Sequence, residues 1–302
     1  MNLRELTFPI RIYWDLDPLS HTSSADNLRI CDEIVDLKIL SLNLSCAGDR
    51  LGTSCIEILE RLKTENIAVS LTMPSSAADA ETTSKLDRLN VRAVFVDIPS
   101  LNDLRDFLKG IELISNKALP IGVSFNLDKN NYKDIPEILS LCSENKIAHL
   151  VFPMQRLINN KDCFFMTKGE REELEMSLKT TNYKNIKLII HDPFLWKVFN
   201  PEDKYPEGGC QGANSMLYIS ADNNVYPCPS MPVNLGNLLE TNLKDIVLSA
   251  KKKELRVALN AMPDECRNCG ENEQCVGGCR GRAYVLNDSL MKADPACQND
   301  YC

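Results

Sequence analysis

Seven short runs rich in β-branched and aromatic residues recur along the first two hundred positions, and helix-like stretches separate most of them. The runs are PIRIYWDL (9–16), ILSLNL (39–44), IAVSLTM (67–73), RAVFVDI (92–98), PIGVSFNL (120–127), IAHLVFPM (147–154) and IKLIIHD (186–192). They start 25 to 30 residues apart until the last, which follows after 39. Helix-like segments at 56–63, 84–90, 101–113, 134–145 and 168–181 fill the intervals. This alternation predicts an α/β fold with a parallel sheet covered by helices. Six or seven units suit a partial or complete β/α barrel, with an open doubly wound sheet as the alternative.

The rhythm stops near residue 200. FNPEDKYPEGGCQGANS (199–215) is dense in turn formers and reads as a boundary, giving domains at 1–200 and 201–302. After it, MLYISADNNVYPC (216–228) reads as a hairpin, with Asn223 and Asn224 suited to the positive φ of its turn. NLKDIVLSAKKKELRVALN (242–260) reads as one helix, with Lys251, Lys252 and Lys253 on a solvated face. The rest has too few apolar residues to hold itself together without a staple.

A net charge of −8 argues against a broad nucleic-acid footprint. The N-terminal stretch lacks the apolar h-region and cleavage site of a signal peptide, and no apolar run is long enough to span a membrane. A reducing cytoplasm is therefore expected, where clustered thiols more often bind metal than pair as disulfides. Of the 13 cysteines, five lie in residues 1–209 and eight in residues 210–302. The eight are Cys210, Cys228, Cys266, Cys269, Cys275, Cys279, Cys297 and Cys302, four of them in the run CRNCGENEQCVGGC (266–279). C-x2-C turns serve zinc and iron–sulfur clusters alike, and spacing alone leaves both open.

The order of these residues resembles the SPASM domain, the auxiliary-cluster module behind many peptide-modifying radical SAM enzymes. The resembling pattern is Cys210, Asn223, Cys228, then C-x2-C-x5-C-x3-C, then Cys297, with NLGNLLETNLKDIVLS (234–249) as the linker. Asn223 stands where the family has glycine, a mild change because Asn tolerates the left-handed region. The resemblance implies two iron–sulfur clusters, each [4Fe–4S]. It implies Cys266, Cys269, Cys275 and Cys297 around one, and Cys210, Cys228 and Cys279 around the other. Cys302 is the remaining thiol and the proposed fourth ligand; an open iron site is its rival.

The same resemblance implies a radical SAM barrel in front, which should carry C-x3-C-x2-C after its first strand. WDLDPLSHTSSADNLRIC (14–31) holds only Cys31, and Cys46 and Cys55 do not complete the spacing. The family's Gly-Gly-Glu-Pro-like turn after the second strand is reduced to Cys46-Ala47-Gly48-Asp49. With its opening ELTFPIRIYWDLDP, the chain resembles the GeoRSP-system SPASM-domain proteins, which accompany a complete radical SAM enzyme. The expectation is thus a degenerate barrel followed by a SPASM module. The chain would be an accessory protein, not itself an enzyme, with no S-adenosylmethionine bound. Its partners would be a catalytic radical SAM/SPASM enzyme and that enzyme's peptide substrate. An atypical radical SAM enzyme and a zinc-stapled scaffold are the alternatives.

Among the other polar residues and thiols, Cys31, Cys46, Cys55, Cys142 and Cys163 read as packing thiols. Cys46 is set apart by its place at a strand's C-terminal end, where β/α barrels concentrate function. His149 and His191 read as core or barrel-mouth residues, His21 as an unsupported metal candidate, and Asp15 and Asp17 as capping groups. No Ser/His/Asp order, phosphate loop or dinucleotide fingerprint is present.

Overall fold

The computed structural model describes residues 5–17, 22–114, 119–158, 162–206 and 208–298. Its first strand, β1 (Arg11–Leu16), already separates two environments. Ile12 and Trp14 are buried toward the helices, whereas Arg11, Tyr13 and Asp15 line a cavity on the other face. That division follows from the two-residue period of a strand. The same alternation continues in β2 (Ser41–Cys46), β3 (Ala68–Pro74) and β6 (His149–Phe152), while β4 (Val91–Ile98), β5 (Ile121–Phe125) and β7 (Lys187–Ile190) fill out the series. The apolar core lies between this sheet and its helices, with Leu42, Leu44, Leu71, Val94, Val123 and Phe125 at or near complete burial.

The helices are α1 (Ser24–Asp36), α2 (Thr53–Leu62), α3 (Ala80–Asp87), α4 (Leu101–Lys109), α5 (Ile111–Ile114), α6 (Ile135–Glu144), α7 (Lys168–Leu178) and α8 (Pro193–Phe199). Side chains that satisfy free backbone amides fix their starts. Ser23, Asp79 and Ser100 cap α1, α3 and α4. Thr167 and Glu170 form a reciprocal capping box on α7.

Strands β1 to β7 pair in parallel and in sequence order, as the β/α rhythm predicts. The C-terminal region extends the same sheet. Strand β8 (Met216–Ile219) pairs in parallel with β1, then β9 (Asn224–Tyr226) and β10 (Gly236–Asn237) follow antiparallel. The ten-stranded order is β10-β9-β8-β1-β2-β3-β4-β5-β6-β7, an open partial barrel among the described residues. The hairpin between β8 and β9 forms as expected, but only Asn223 takes the positive φ, at 60°; Asn224 belongs to β9.

The segment read as one helix over 242–260 is two, α9 (Leu243–Leu248) and α10 (Ala250–Asn260). Ser249 is extended (φ −60°, ψ 152°), and its side chain accepts from the Lys252 amide. A residue that caps one helix cannot continue the one before. Lys252 is also not on a solvated face: it is 5% exposed, and its Nζ donates to the carbonyls of Leu6 and Thr7 at 3.3 Å. Two short helices, α11 (Asn272–Cys275) and α12 (Arg280–Asn287), are the last among the described residues. No helix among the described residues is long and apolar enough to cross a membrane.

Candidate cluster sites and barrel mouth

The C-terminal thiols gather in two neighbourhoods. Cys266, Cys269, Cys275 and Cys297 line one small cavity. Cys210 and Cys279 stand beside Cys228. Cys302 lies outside the described residues. Burial pushes the Cys275 and Cys279 thiols up to about 12 and holds Cys228 and Cys266 above the ordinary cysteine value. Backbone amides oppose this: those of Gly278 and Gly277 point at Cys275, and those of Ser230 and Met231 at Cys228. Amides aimed at sulfur favour a thiolate, the form a metal takes.

The backbone between Cys275 and Cys279 is what makes this possible. Val276, Gly277 and Gly278 have φ of 49°, 88° and 70°, three consecutive residues in the left-handed half of the map. A β-branched valine is costly there. The glycines are needed as well for close approach, since a Cβ on Gly277 would stand 2.6 Å from Arg280 Nη1.

A buried ion-pair network sets the C-terminal loop against the barrel. Arg282 is 3% exposed and donates from Nε and Nη2 to the two carboxylate oxygens of Asp294, both at 2.7 Å. Its Nη1 donates to Asp192, which also accepts from the amides that begin α8. Asp294 in turn accepts from the Cys279 amide at 2.7 Å. Arg171 on α7 donates to the carbonyls of Met166 and Ala296. Cys297, remote in sequence from the other thiols, is carried to them by these contacts.

The barrel holds a separate cavity of about 900 Å³ that runs along its inner strand faces, from Arg11, Ser41 and Lys187 at strand starts to Asp17, Pro74 and Asp97 toward the C-terminal ends. Ala221 and Pro229 of the C-terminal region reach its rim. Asp15 is an ion-pair partner here and not a cap: Arg156 donates to both its oxygens at 2.6 and 2.7 Å, and the Tyr218 hydroxyl donates at 2.8 Å. Asp97 accepts from Ser124 and Asn126, and burial raises its carboxyl above the usual range. His149 and His191 line the cavity. Burial, helped by Lys187, lowers His149; burial and Arg11 bring His191 down to about 4. His21 lies outside the described residues.

Arg156, Tyr218, Asp97 and Asn126 were not singled out in the sequence. Their signal was available, because polar residues recur at every second position of the strands: Arg11, Tyr13 and Asp15, then Asn43 and Ser45. Alternation in a parallel strand marks a wet face, since strands buried on both sides are apolar throughout.

The C-terminal thiols fit iron–sulfur ligation: Cys228, Cys266 and Cys269 are buried, Cys210, Cys275, Cys279 and Cys297 are partly so, and backbone amides meet Cys228, Cys275 and Cys279. Arg280 beside them is a fully buried cation whose Nε and Nη1 have no hydrogen-bond partner among the described residues. The barrel mouth does not fit a radical-generating cluster. Cys31 is buried in α1 near Arg61, while Cys46 and Cys55 meet only each other, Sγ to Sγ at 2.7 Å. No three-thiolate cradle forms from them.

Residues 210–270 match the family described as SPASM, an iron–sulfur cluster-binding domain. The chain carries a SPASM domain. A SPASM domain implies iron–sulfur clusters, in agreement with the thiol geometry. The PqqA peptide cyclase of Granulibacter bethesdensis is 22% identical over 294 residues, covering 89% of this chain and 77% of that protein. The structure of SuiB from Streptococcus suis bound to precursor peptide SuiA superposes with a TM-score of 0.73 at 15% identity, covering 98% and 77%. That of anSMEcpe with bound AdoMet gives 0.70 at 14%, covering 95% and 91%. The fold in front of the SPASM domain is thus of the radical SAM type.

These similarities overturn the expectation of a non-catalytic accessory protein. The chain aligns over most of its length with a peptide cyclase, and it shares a nearly complete fold with proteins solved with a precursor peptide or AdoMet. The missing cysteine trio describes one cluster site; it does not remove the cavity or the SPASM domain. A catalytic partner enzyme is not shown by these similarities. The expected absence of S-adenosylmethionine is likewise set against a fold that holds AdoMet in similar structures. The peptide keeps its support.

Proposed function

We propose that this chain is an atypical peptide-modifying enzyme of the radical SAM/SPASM kind. It receives a peptide segment at the barrel mouth, and its clusters lie in the C-terminal unit. The cavity carries this reading: about 900 Å³, polar on the strand faces and rimmed by residues of the SPASM region. That volume suits a few side chains of an extended segment. Similarity to proteins named for peptide substrates over nearly the whole chain supports the substrate class.

Residues 1–200 are the barrel and 201–302 the cluster-bearing unit, working in a reducing cytoplasm that keeps the thiols available. Cys266, Cys269, Cys275 and Cys297 would hold one [4Fe–4S] cluster. Cys210, Cys228 and Cys279 would hold the other, with Cys302 as its fourth ligand. Bound clusters supply one-electron transfer. A zinc staple has less support, because the match over residues 210–270 is to an iron–sulfur cluster-binding domain. In the cavity, Arg156 orients the Asp15 carboxylate, and Asp97 and the neutral His191 are groups able to hold or release a proton.

The test uses anaerobically reconstituted protein, with peptides offered alone and with S-adenosylmethionine and reductant. Iron and sulfide analysis should find two clusters, and a peptide substrate should bind and change mass only in the complete mixture. Candidate precursor peptides that neither bind nor change mass would sink the reading. Zinc in place of iron would remove its redox part.

A further inference from the structure

Arg280 is the first residue of α12, directly after Cys279, and it is 0% exposed. A guanidinium stays protonated and presents five N–H donors. Here Nη2 donates to the Leu290 carbonyl, while Nε and Nη1 have no partner among the described residues. Arg282, two residues on, is as deeply buried, but Asp294 and Asp192 satisfy it. Arg280 has no carboxylate at ion-pair distance among the described residues. Its charged surroundings are Cys210, Cys266 and, further off, Asp294.

Those two cysteines belong to different thiol neighbourhoods: Cys266 to the group with Cys269, Cys275 and Cys297, and Cys210 to the group with Cys228 and Cys279. The guanidinium is therefore near one thiol of each group, and Arg280 directly follows Cys279 in the chain. The chain leaves room for it there. A Cβ on Gly277 would stand 2.6 Å from Nη1, so a side chain at that position would collide with the guanidinium. Buried charges are paired or sit against metal centres, because an isolated one is too costly. Iron–sulfur clusters with their thiolates carry net negative charge, and hydrogen bonds to their sulfurs help set their potentials.

We propose that Arg280 is a shared positioning residue for the two clusters: its Nε–H and Nη1–H donate to sulfur, and its charge raises the reduction potential of both. The inference rests on the two-cluster reading above. It adds that the clusters are electrostatically linked through one side chain.

The test compares wild type, Arg280→Lys and Arg280→Met after anaerobic reconstitution, with the exposed Arg267→Met as control. Readouts are iron per chain and an EPR-monitored redox titration. Arg280→Met should shift the midpoint potentials of both clusters downward and alter their EPR line shapes. Arg280→Lys should recover part of the shift, since it keeps the charge and loses the fork. Arg267→Met should match wild type. Loaded Arg280→Met with wild-type potentials overturns the proposal. So does a shift confined to one cluster, which denies the shared role. If Arg280→Met loads no iron, Arg280→Lys decides, and wild-type potentials and line shapes there also overturn it. Failure of the two-cluster reading looks different: wild type itself would load no iron.

Discussion

At the residue scale, single side chains set the charge balance of the barrel mouth. Arg156 holds Asp15 in a bidentate pair, and Tyr218 adds a third hydrogen bond from the SPASM region. Arg156 is 40% exposed on its side chain, so solvent screening limits the pair. A double-mutant cycle with Arg156→Met and Asp15→Asn should give a coupling of about 1 kcal/mol by urea unfolding. His191 is a second point of control. Its folded value near 4 lies below the ordinary 6.5, so between these values the unfolded chain binds a proton that the folded chain does not. Its contribution is present above pH 6.5 and is lost as pH falls toward 4, by up to about 1.4 kcal/mol per pH unit. The raised Asp97 has the opposite sign above its ordinary value. The difference between wild type and His191→Gln in unfolding free energy against pH isolates the histidine. A flat difference from pH 6.5 to 4 would contradict the assignment.

At the element scale, the cysteine loop is set by what α12 packs against. Gly281 lies where a Cβ would approach the Ser230 carbonyl oxygen to 2.3 Å and its carbon to 2.7 Å. Backbone cannot yield as a flexible side chain can. Gly281→Ala should cost about 1–3 kcal/mol by overpacking. The Ser230 amide points at Cys228, so the variant should also lose iron from the group containing Cys210, Cys228 and Cys279. Cys269→Ala should act on the other group, removing about half the iron and opening residues 266–298 to proteolysis, because ligation there substitutes for a core. Iron analysis with limited proteolysis checks both. The Ser249 break has a comparable local cause: α9 and α10 are separate because one side chain caps the second helix.

At the scale of the whole molecule, barrel and SPASM region share one sheet. Strand β8 lies beside β1, which brings Tyr218 to Asp15 and puts Ala221 and Pro229 at the cavity rim. Any peptide entering the barrel mouth meets both regions. Disturbing the C-terminal loop should therefore weaken peptide binding even with the barrel intact, and fluorescence anisotropy of a labelled peptide against Cys269→Ala would measure it. Unchanged affinity would confine the peptide contacts to the barrel.

Much of this was legible in the chain. Strand runs at regular intervals dictate a parallel α/β sheet, because each needs a crossover long enough for a helix. The C-x2-C-x5-C-x3-C spacing marks a metal-binding loop, because tight turns aim neighbouring thiols at one centre; the likeness to the SPASM pattern, not the spacing, points to clusters. The absence of a cysteine trio after β1 was equally plain, and the structure adds that Cys31, Cys46 and Cys55 do not meet as three. What the chain could not show depends on contacts remote in sequence. Arg156 reaches Asp15 across 141 positions, and Arg171 reaches the Cys297 carbonyl across 126. Neither pairing has a local pattern, since it exists only once the sheet has closed most of a turn. Arg280 is the sharpest case. In sequence it is one basic residue after a cysteine, indistinguishable from Arg282. Only packing gives Arg282 two carboxylates and leaves Arg280 buried near Cys210 and Cys266, with Nε and Nη1 unpartnered among the described residues.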